Sequence, residues 1–302
     1  MGRYLIFQRA LAFVFSILLL IILAFSFLRL LPGGPFDDSQ VYLSSVLQNL
    51  STLYGAKLSL GEQFLRFLHQ LVHFNFGPSL AYPGQSVTQV IRSRSVVTLQ
   101  FGALAVLLTL LFSFLLSLGS ALGFAKKTFS LIQLTLVSLP LLLVGPLLIW
   151  FFGFYLNCLP TNFNGAWTSY FLPTFLLALR PTGTLSRLLS SSFEEILRQP
   201  WALTFRGFGF PPNRIGLFFA LRLTLVPFLA VFPPLLAHLL AGSILIESLF
   251  SIQGLGLAFL NSIYARDYTL TMVLLLCFGS VLLLASFAFD FFSRSLDPRI
   301  RT

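Results

Sequence analysis

The sequence predicts an all-α protein that crosses a membrane six times, and three observations carry that expectation. The 302 residues are 57% hydrophobic and only 9% charged, where average soluble domains carry roughly 25% charged residues. Apolar runs of about twenty residues recur along the chain, each long enough as a helix to cover a hydrocarbon core of about 30 Å. The cations are also sided. Arg3, Arg9, Lys126, Lys127, Arg187, Arg198, Arg206, Arg214, Arg222, Arg294, Arg299 and Arg301 fall at ends that this topology places inside; Lys57, Arg66, Arg92, Arg94 and Arg266 fall outside, mostly in one long loop where the positive-inside rule is weaker.

The formal net charge is +10, from 19 Lys+Arg against 9 Asp+Glu. Cytoplasmic loops facing anionic lipid account for such an excess in a membrane protein. No basic array interleaved with aromatics points to nucleic acid. Cys158 and Cys277 belong to no C-x-x-C pair, and no metal site is expected from them.

In chain order, Arg3 and Arg9 precede an apolar run from Leu11 to about Leu31. It is longer than the core of a signal peptide, which predicts an uncleaved first span with the N-terminus inside. Residues 36–95 then form the one long mixed segment, placed outside. Within it Phe64, Leu65, Phe67, Leu68, Leu71 and Val72 recur at helical spacing around Glu62, Arg66, His69 and Gln70. That pattern predicts an amphipathic helix at the outer interface. His69 and His73 share a helix face; they are either a metal-chelating pair or interfacial histidines, and no third carboxylate ligand stands out.

The second span is expected over about 96–125. Gly119 and Gly123 in it form a small-xxx-small pattern that permits close helix contact. The third covers about 131–156, kinked by Pro140 and Pro146. Trp167 and Tyr170 fit an outer aromatic belt. The fourth span covers about 171–189, with Arg180 near its middle. Arg180 either faces the bundle interior or a pore, or snorkels to an interface if the span is shifted. The fifth covers about 223–246 and carries Pro227, Pro233, Pro234 and His238. His238 is a pore-facing group or a partner in a helix–helix hydrogen bond. The last span covers about 271–291, and Asp290 and Arg294 can pair at its inner end. Both termini are expected to be cytoplasmic.

Between the fourth and fifth spans, residues 194–227 form the longest polar interruption in the second half of the chain. The loop carries Arg198, Arg206, Arg214 and Arg222 against Glu194 and Glu195. Trp201, Leu203 and Phe205 are apolar groups where water is expected. Gly207, Gly209, Pro211 and Pro212 follow, so a short helix should be stopped here and turned back to the membrane. A short helix with exposed apolar anchors suits a groove on another protein.

This loop resembles the cytoplasmic loop of ABC importer permeases of the dipeptide/oligopeptide/nickel family, most closely the oligopeptide permeases. Their loop runs as aromatic, x, R-T-A-R-A-K-G, then about a dozen residues to A-L-R-x-x-x-x-P. Here Trp201, Thr204, Arg206 and Gly209 stand in the first part, and Ala220, Leu221, Arg222 and Pro227 in the second. Phe208 replaces the usual Lys and Phe205 an Ala, which makes the surface more apolar. Further resemblances run along the chain. Leu28 to Pro35 resembles L-R-L-L-P-G-D-P with Gly34 for the Asp, and Gln63 to Arg66 resembles Q-Y-L-R. Arg187 to Ser192 resembles R-L-L-R-S-S, Glu247 to Tyr268 resembles E-x-x-F, P-G-L-G and A-R-D-Y-P with Gln253 for a Pro, and Leu296 to Arg299 resembles L-D-P-R.

The resemblance implies the six-helix type I ABC importer permease fold. It implies a first part, 1–95, of one span with an outer loop and interfacial helix, and a five-helix core, 96–302, that holds the loop. It also implies that Trp201, Thr204, Arg206, Gly209, Arg214 and Arg222 serve a coupling helix docked on an ATPase. Arg180, His238 and Glu247 are the candidate groups along a translocation pathway. The implied partners are a homologous second permease, two ABC ATPases, an extracytoplasmic solute-binding protein and the lipid bilayer, at a bacterial inner membrane. No cofactor is expected on this chain and no catalysis: the sequence holds no G-x-x-x-x-G-K-[ST], H-E-x-x-H or G-x-S-x-G. The expected cargo is peptide, with nickel or glutathione as alternatives. A membrane enzyme, drawn from His238 with Ser243 or Glu247, and a secondary transporter built on broken helices are the rival classes.

Overall fold

The computed structural model describes residues 2–30, 58–121, 126–210, 212–215, 235–237, 239–240 and 243–296. The described chain is helical, with one isolated antiparallel bridge, Pro78 to Ser86. In order the helices are α1 (Gly2–Leu30), α2 (Leu60–Val72), α3 (Val87–Ala121), α4 (Lys126–Ser138), α5 (Leu141–Leu148) continued by a π-helical stretch (Ile149–Tyr155), α6 (Trp167–Leu197), α7 (Pro200–Gly207), α8 (Pro212–Ile215), α9 (Leu255–Tyr264) and α10 (Tyr268–Leu296). A further helical stretch covers 243–249.

Among the described residues, Ala10–Leu30, Val87–Ser120 and Tyr268–Ala288 are long and apolar enough to cross a membrane; α4 with α5 and its π-helical extension makes a fourth if that bent pair is one span. The expected third span, kinked in the sequence reading, is broken: its halves meet at 100°. Pro140 is the cause. It has no N–H to donate, it pushes the preceding residue out of helical conformation, and it stands as the extended N-cap of α5 at φ −75° and ψ 121°. Pro146, by contrast, is accommodated inside α5. The expected fifth span lies mostly outside the described residues.

The contacts divide the chain into two compact units: Thr98–Ile252 with Met1–Arg3 and Leu284–Thr302, and Tyr4–Val97 with Gln253–Leu283. The first is organised around α6, whose buried positions include Leu172, Leu176, Leu185, Leu189, Phe193 and Ile196. α4 lies against it where Gly183 removes a side chain. A Cβ there would stand 2.8 Å from Val137 Cγ2 and 2.9 Å from the Gln133 carbonyl oxygen. Gln133 itself is buried and donates to Ser190 Oγ at 3.0 Å, so one polar tie spans the same seam. Gly183→Ala should therefore cost about 1–3 kcal/mol by overpacking against backbone that cannot yield. The check is the thermal midpoint of the purified protein, with Gly102→Ala, where a Cβ meets nothing within 4 Å, as the neutral comparison.

The second unit packs α1, α2, α9 and the first half of α10 around Ile21, Phe25, Leu28, Phe67, Phe76, Leu255, Leu270 and Leu274. The amphipathic α2 begins with a capping box. Ser59 N–H donates to Glu62 Oε2 at 2.8 Å, and Glu62 N–H is turned toward Ser59 Oγ at 3.4 Å. These hydrogen bonds to Ser59 hold the fully exposed Glu62 carboxyl below the ordinary glutamate range. A lowered folded pKa stabilises the cap above the unfolded glutamate value, and that contribution is lost as pH falls through the folded one. Acidification should lower the protection of the amides at the start of α2, measured against their intrinsic exchange rates at each pH, and Glu62→Gln should abolish that pH dependence of protection.

Candidate functional site

The loop from Glu194 onward is held at its root by ion pairs. Lys126 at the start of α4 reaches Glu194 Oε1 at 2.7 Å, and Arg198 lies 3.9 Å from the other oxygen. α6 ends at Leu197. Gln199 is extended and Pro200 opens α7 at its first position, where its missing N–H costs nothing. Trp201 Nε1 donates to the Gln199 side chain at 2.7 Å.

One face of α7 is committed inward. Ala202 is fully buried, and Trp201 packs against the Phe193 and Ile196 cluster with Leu118. Leu203, Thr204 and Arg206 are exposed. The helix stops as the glycine predicts. Gly209 adopts φ +84°, its N–H donates to the Arg206 carbonyl at 2.9 Å, and Phe210 N–H donates to the Phe205 carbonyl at 3.1 Å. These are the two bonds of a Schellman stop, and the apolar contact that goes with it is present, with the Phe205 and Phe210 rings edge-on at 5.5 Å. The substitution at Phe205, which departs from the loop pattern, thus has a structural use. Phe208 is left 77% exposed at the tip, and Arg214 is exposed beyond it. Leu203, Arg206, Phe208 and Phe210 are exposed, three apolar anchors with a cation among them. Arg222 lies outside the described residues.

The candidate pathway groups are distributed differently. Arg180 is exposed in the middle of α6, immediately before Pro181. Glu247 is 1% exposed and accepts from Thr98 Oγ1 at 2.8 Å. His238 lies outside the described residues. His69 and His73 do meet, with rings stacked at 4.2 Å, but His73 Nδ1 is engaged with the His69 carbonyl at 2.8 Å. Among the described residues no group of three His, Cys, Asp or Glu could hold a metal ion.

Residues 110–302 match the family described as binding-protein-dependent transport system inner membrane component. The chain belongs to that family. Its relatives match nearly end to end. The dipeptide transport system permease protein DppB of Bacillus subtilis (strain 168) is 32% identical, covering 100% of this chain and 98% of the relative. The oligopeptide transport system permease protein OppB of Haemophilus influenzae is 31% identical and that of Escherichia coli (strain K12) 30% identical, each covering 98% of both chains. A solved structure, "Inward facing conformations of the MetNI methionine ABC transporter: CY5 native crystal form", aligns at TM-score 0.45 and 18% identity, covering 67% of this chain and 92% of that one.

In this permease the sequence reading missed one residue of consequence. Asp267, read only as part of an A-R-D-Y signature, is fully buried and caps α10, accepting from Leu270 N–H at 3.0 Å. Its other oxygen accepts from Ser79 Oγ at 2.6 Å and from the N–H groups of Leu80 and Ala81 at 2.7 and 3.2 Å. One carboxylate thus ties the loop after α2 to the last helix. Beside it Arg94 donates to Gln253 at 2.7 Å and lies over the Tyr82 ring at 4.1 Å, and the Tyr82 hydroxyl accepts from Asn261 at 2.9 Å. An Asp directly before an apolar helical run is a helix-start signal, so the cap was legible; its partners at Ser79 to Ala81 were not.

Proposed function

We propose that this chain is a permease subunit of an ATP-driven importer that carries peptides across a bacterial inner membrane. The observation that carries the cargo is end-to-end similarity to dipeptide and oligopeptide permeases at 30–32% identity. The coupling role rests on the α7 loop, with its rigid Schellman stop and its exposed Leu203, Arg206, Phe208 and Phe210. Two ATPases close on ATP, and each presses on a docked loop. The motion passes into α6 through the packing of Trp201 against Phe193 and Ile196, and the helices tilt between inward- and outward-open forms. Trp201, Thr204, Arg206, Gly209, Arg214 and Arg222 make up the docking element.

The working unit pairs this chain with a homologous second permease, two ATPases and an extracytoplasmic solute-binding protein. The chain crosses six times with both termini cytoplasmic, its first span and outer loop (1–95) set beside a five-helix core (96–302). It binds no cofactor of its own. The exposed Arg180 faces the second permease or the water-filled path between the two, with His238 and Glu247 on the same pathway. Uptake of a radiolabelled dipeptide should fall to background in cells lacking the chain and return when it is restored, with nickel and glutathione uptake unchanged. Dipeptide uptake that is unaffected, beside lost nickel or glutathione uptake, would overturn the peptide assignment.

A further inference from the structure

The end of α3, the first turns of α4 and the second half of α6 border a cavity of about 500 Å³ within the first unit, with Ser120, Lys126, Gln133, Thr184, Arg187 and Ser191 in its lining. That volume is in the range of pockets for small molecules. Lys126 is already paired with Glu194 at 2.7 Å, so these two charges cancel. Arg187 is exposed, and among the described residues no carboxylate pairs with it. Among the described residues that line the cavity, Arg187 is therefore the one uncompensated charge. It matches a single carboxylate better than a dianion.

The neutral groups give a second, independent sign. Ser120 is 5% exposed and lines the cavity, yet among the described residues its hydroxyl has no hydrogen-bond partner. A buried polar group left unpaired is costly, and a ligand oxygen would satisfy it. Thr184 and Ser191 are set the other way round. Their hydroxyls donate to the Arg180 and Leu188 carbonyls at 3.2 and 2.8 Å. With those protons committed, each offers lone pairs to a ligand. Two donors, Arg187 and Ser120, thus stand with two acceptors. An inorganic oxyanion needs donors alone. The end of a peptide needs both: donors for its carboxylate, and acceptors for the backbone N–H beside it.

The same face of α6 continues beyond the cavity. At 100° per residue, Arg180, Thr184, Arg187 and Ser191 fall within an arc of about 60°. All four are exposed, while Leu177, Leu185 and Leu189 on the same helix are buried. Arg180 stands two turns, about 10.5 Å, before Arg187. Such a stripe is costly against lipid and suits a water-filled path. Ser120 closes the candidate span Val87–Ser120, so the cavity lies at one end of the membrane region, the end that the importer reading places in the cytoplasm. We propose that this cavity receives the carboxyl end of the cargo peptide as it leaves the membrane. Arg187 takes the carboxylate from Arg180, Ser120 donates to it as well, and Thr184 and Ser191 accept from the adjoining N–H groups. The proposal rests on the peptide-importer reading and adds where the cargo is held and which end of it is recognised.

The test is saturation-transfer difference NMR on the purified complex without its solute-binding protein, with alanyl-phenylalanine, its C-terminal amide or inorganic phosphate as the probe. The free dipeptide should bind saturably and about tenfold or more tighter than the amide, the worth of one charge-assisted hydrogen bond. R187Q should erase that preference, R187K should keep part of it, and S120A should weaken dipeptide binding without erasing the preference. Inorganic phosphate should not displace the dipeptide. Equal binding of dipeptide and amide by the unaltered protein needs no variant to fold and would overturn the site; so would displacement by phosphate, or a preference that survives R187Q. Dipeptide uptake by cells is measured separately, so uptake without a carboxylate preference at the complex overturns this site and leaves the importer reading standing.

Discussion

Asp267→Ala is expected to destabilise the unit built on α1, α2 and α9 by about 3–5 kcal/mol, the usual cost of removing one partner from a buried, charge-assisted cluster. The carboxylate is wholly buried and accepts from Ser79 Oγ and from the N–H groups of Leu80, Ala81 and Leu270. Alanine leaves all four donors without that acceptor and opens the N-terminus of α10. Asp267→Asn keeps the volume and one acceptor oxygen but turns an amide N–H₂ toward donors, so its loss should be intermediate. Ser79→Ala removes only one donor and should cost about 1 kcal/mol. The order Ala, then Asn, then Ser79→Ala in thermal midpoint, followed by size-exclusion of detergent-solubilised protein, checks the account. An unchanged midpoint for Asp267→Ala would remove the clamp from it.

Gly209→Val should have the largest effect on transport. Gly209 holds φ +84°, a region that costs a side-chain-bearing residue about 1–2 kcal/mol and a β-branched one more. A Cβ there would meet nothing within 4 Å, so the penalty lies in the backbone rather than in crowding. Losing the Schellman stop frees Phe210 from Phe205 and lets the tip of the loop drift from its docked form. A penalty of that size lowers the share of docking-competent loop by roughly 5–30-fold, and peptide uptake should fall accordingly with the amount of protein in the membrane unchanged. Gly207→Ala is the control, because Gly207 is helical with open space around its Cβ position, and it should transport normally. Normal uptake by Gly209→Val would separate the loop from coupling.

Local chemistry made much of this legible in the sequence. Apolar runs predicted α1, α3 and α10 because hydrocarbon thickness sets their length. Periodicity predicted α2, and Gly207, Gly209, Pro211 and Pro212 predicted a stopped short helix in the loop. What the sequence withheld depends on distance along the chain. Asp267 meets Ser79 across 188 residues, Gln133 meets Ser190 across 57, and Thr98 meets Glu247 across 149. No spacing rule reports such pairs. Arg66 was read as an outer-loop cation; only the packing of α2 beside α1 brings it to one cavity with Arg29. The break at Pro140 was visible as a proline but not as a 100° turn, because a proline marks where a helix can break and not the angle it takes.

The central claim, that this permease borrows its energy through the loop at α7, is tested most directly by purifying the tagged chain from its native membrane in mild detergent. The co-purifying chains are identified, and ATP hydrolysis is assayed. The account predicts two ATP-hydrolysing subunits and a second permease in the complex, with ATPase activity that rises when peptide-loaded binding protein is added. Recovery of the chain alone, with no ATPase activity above background, would contradict it.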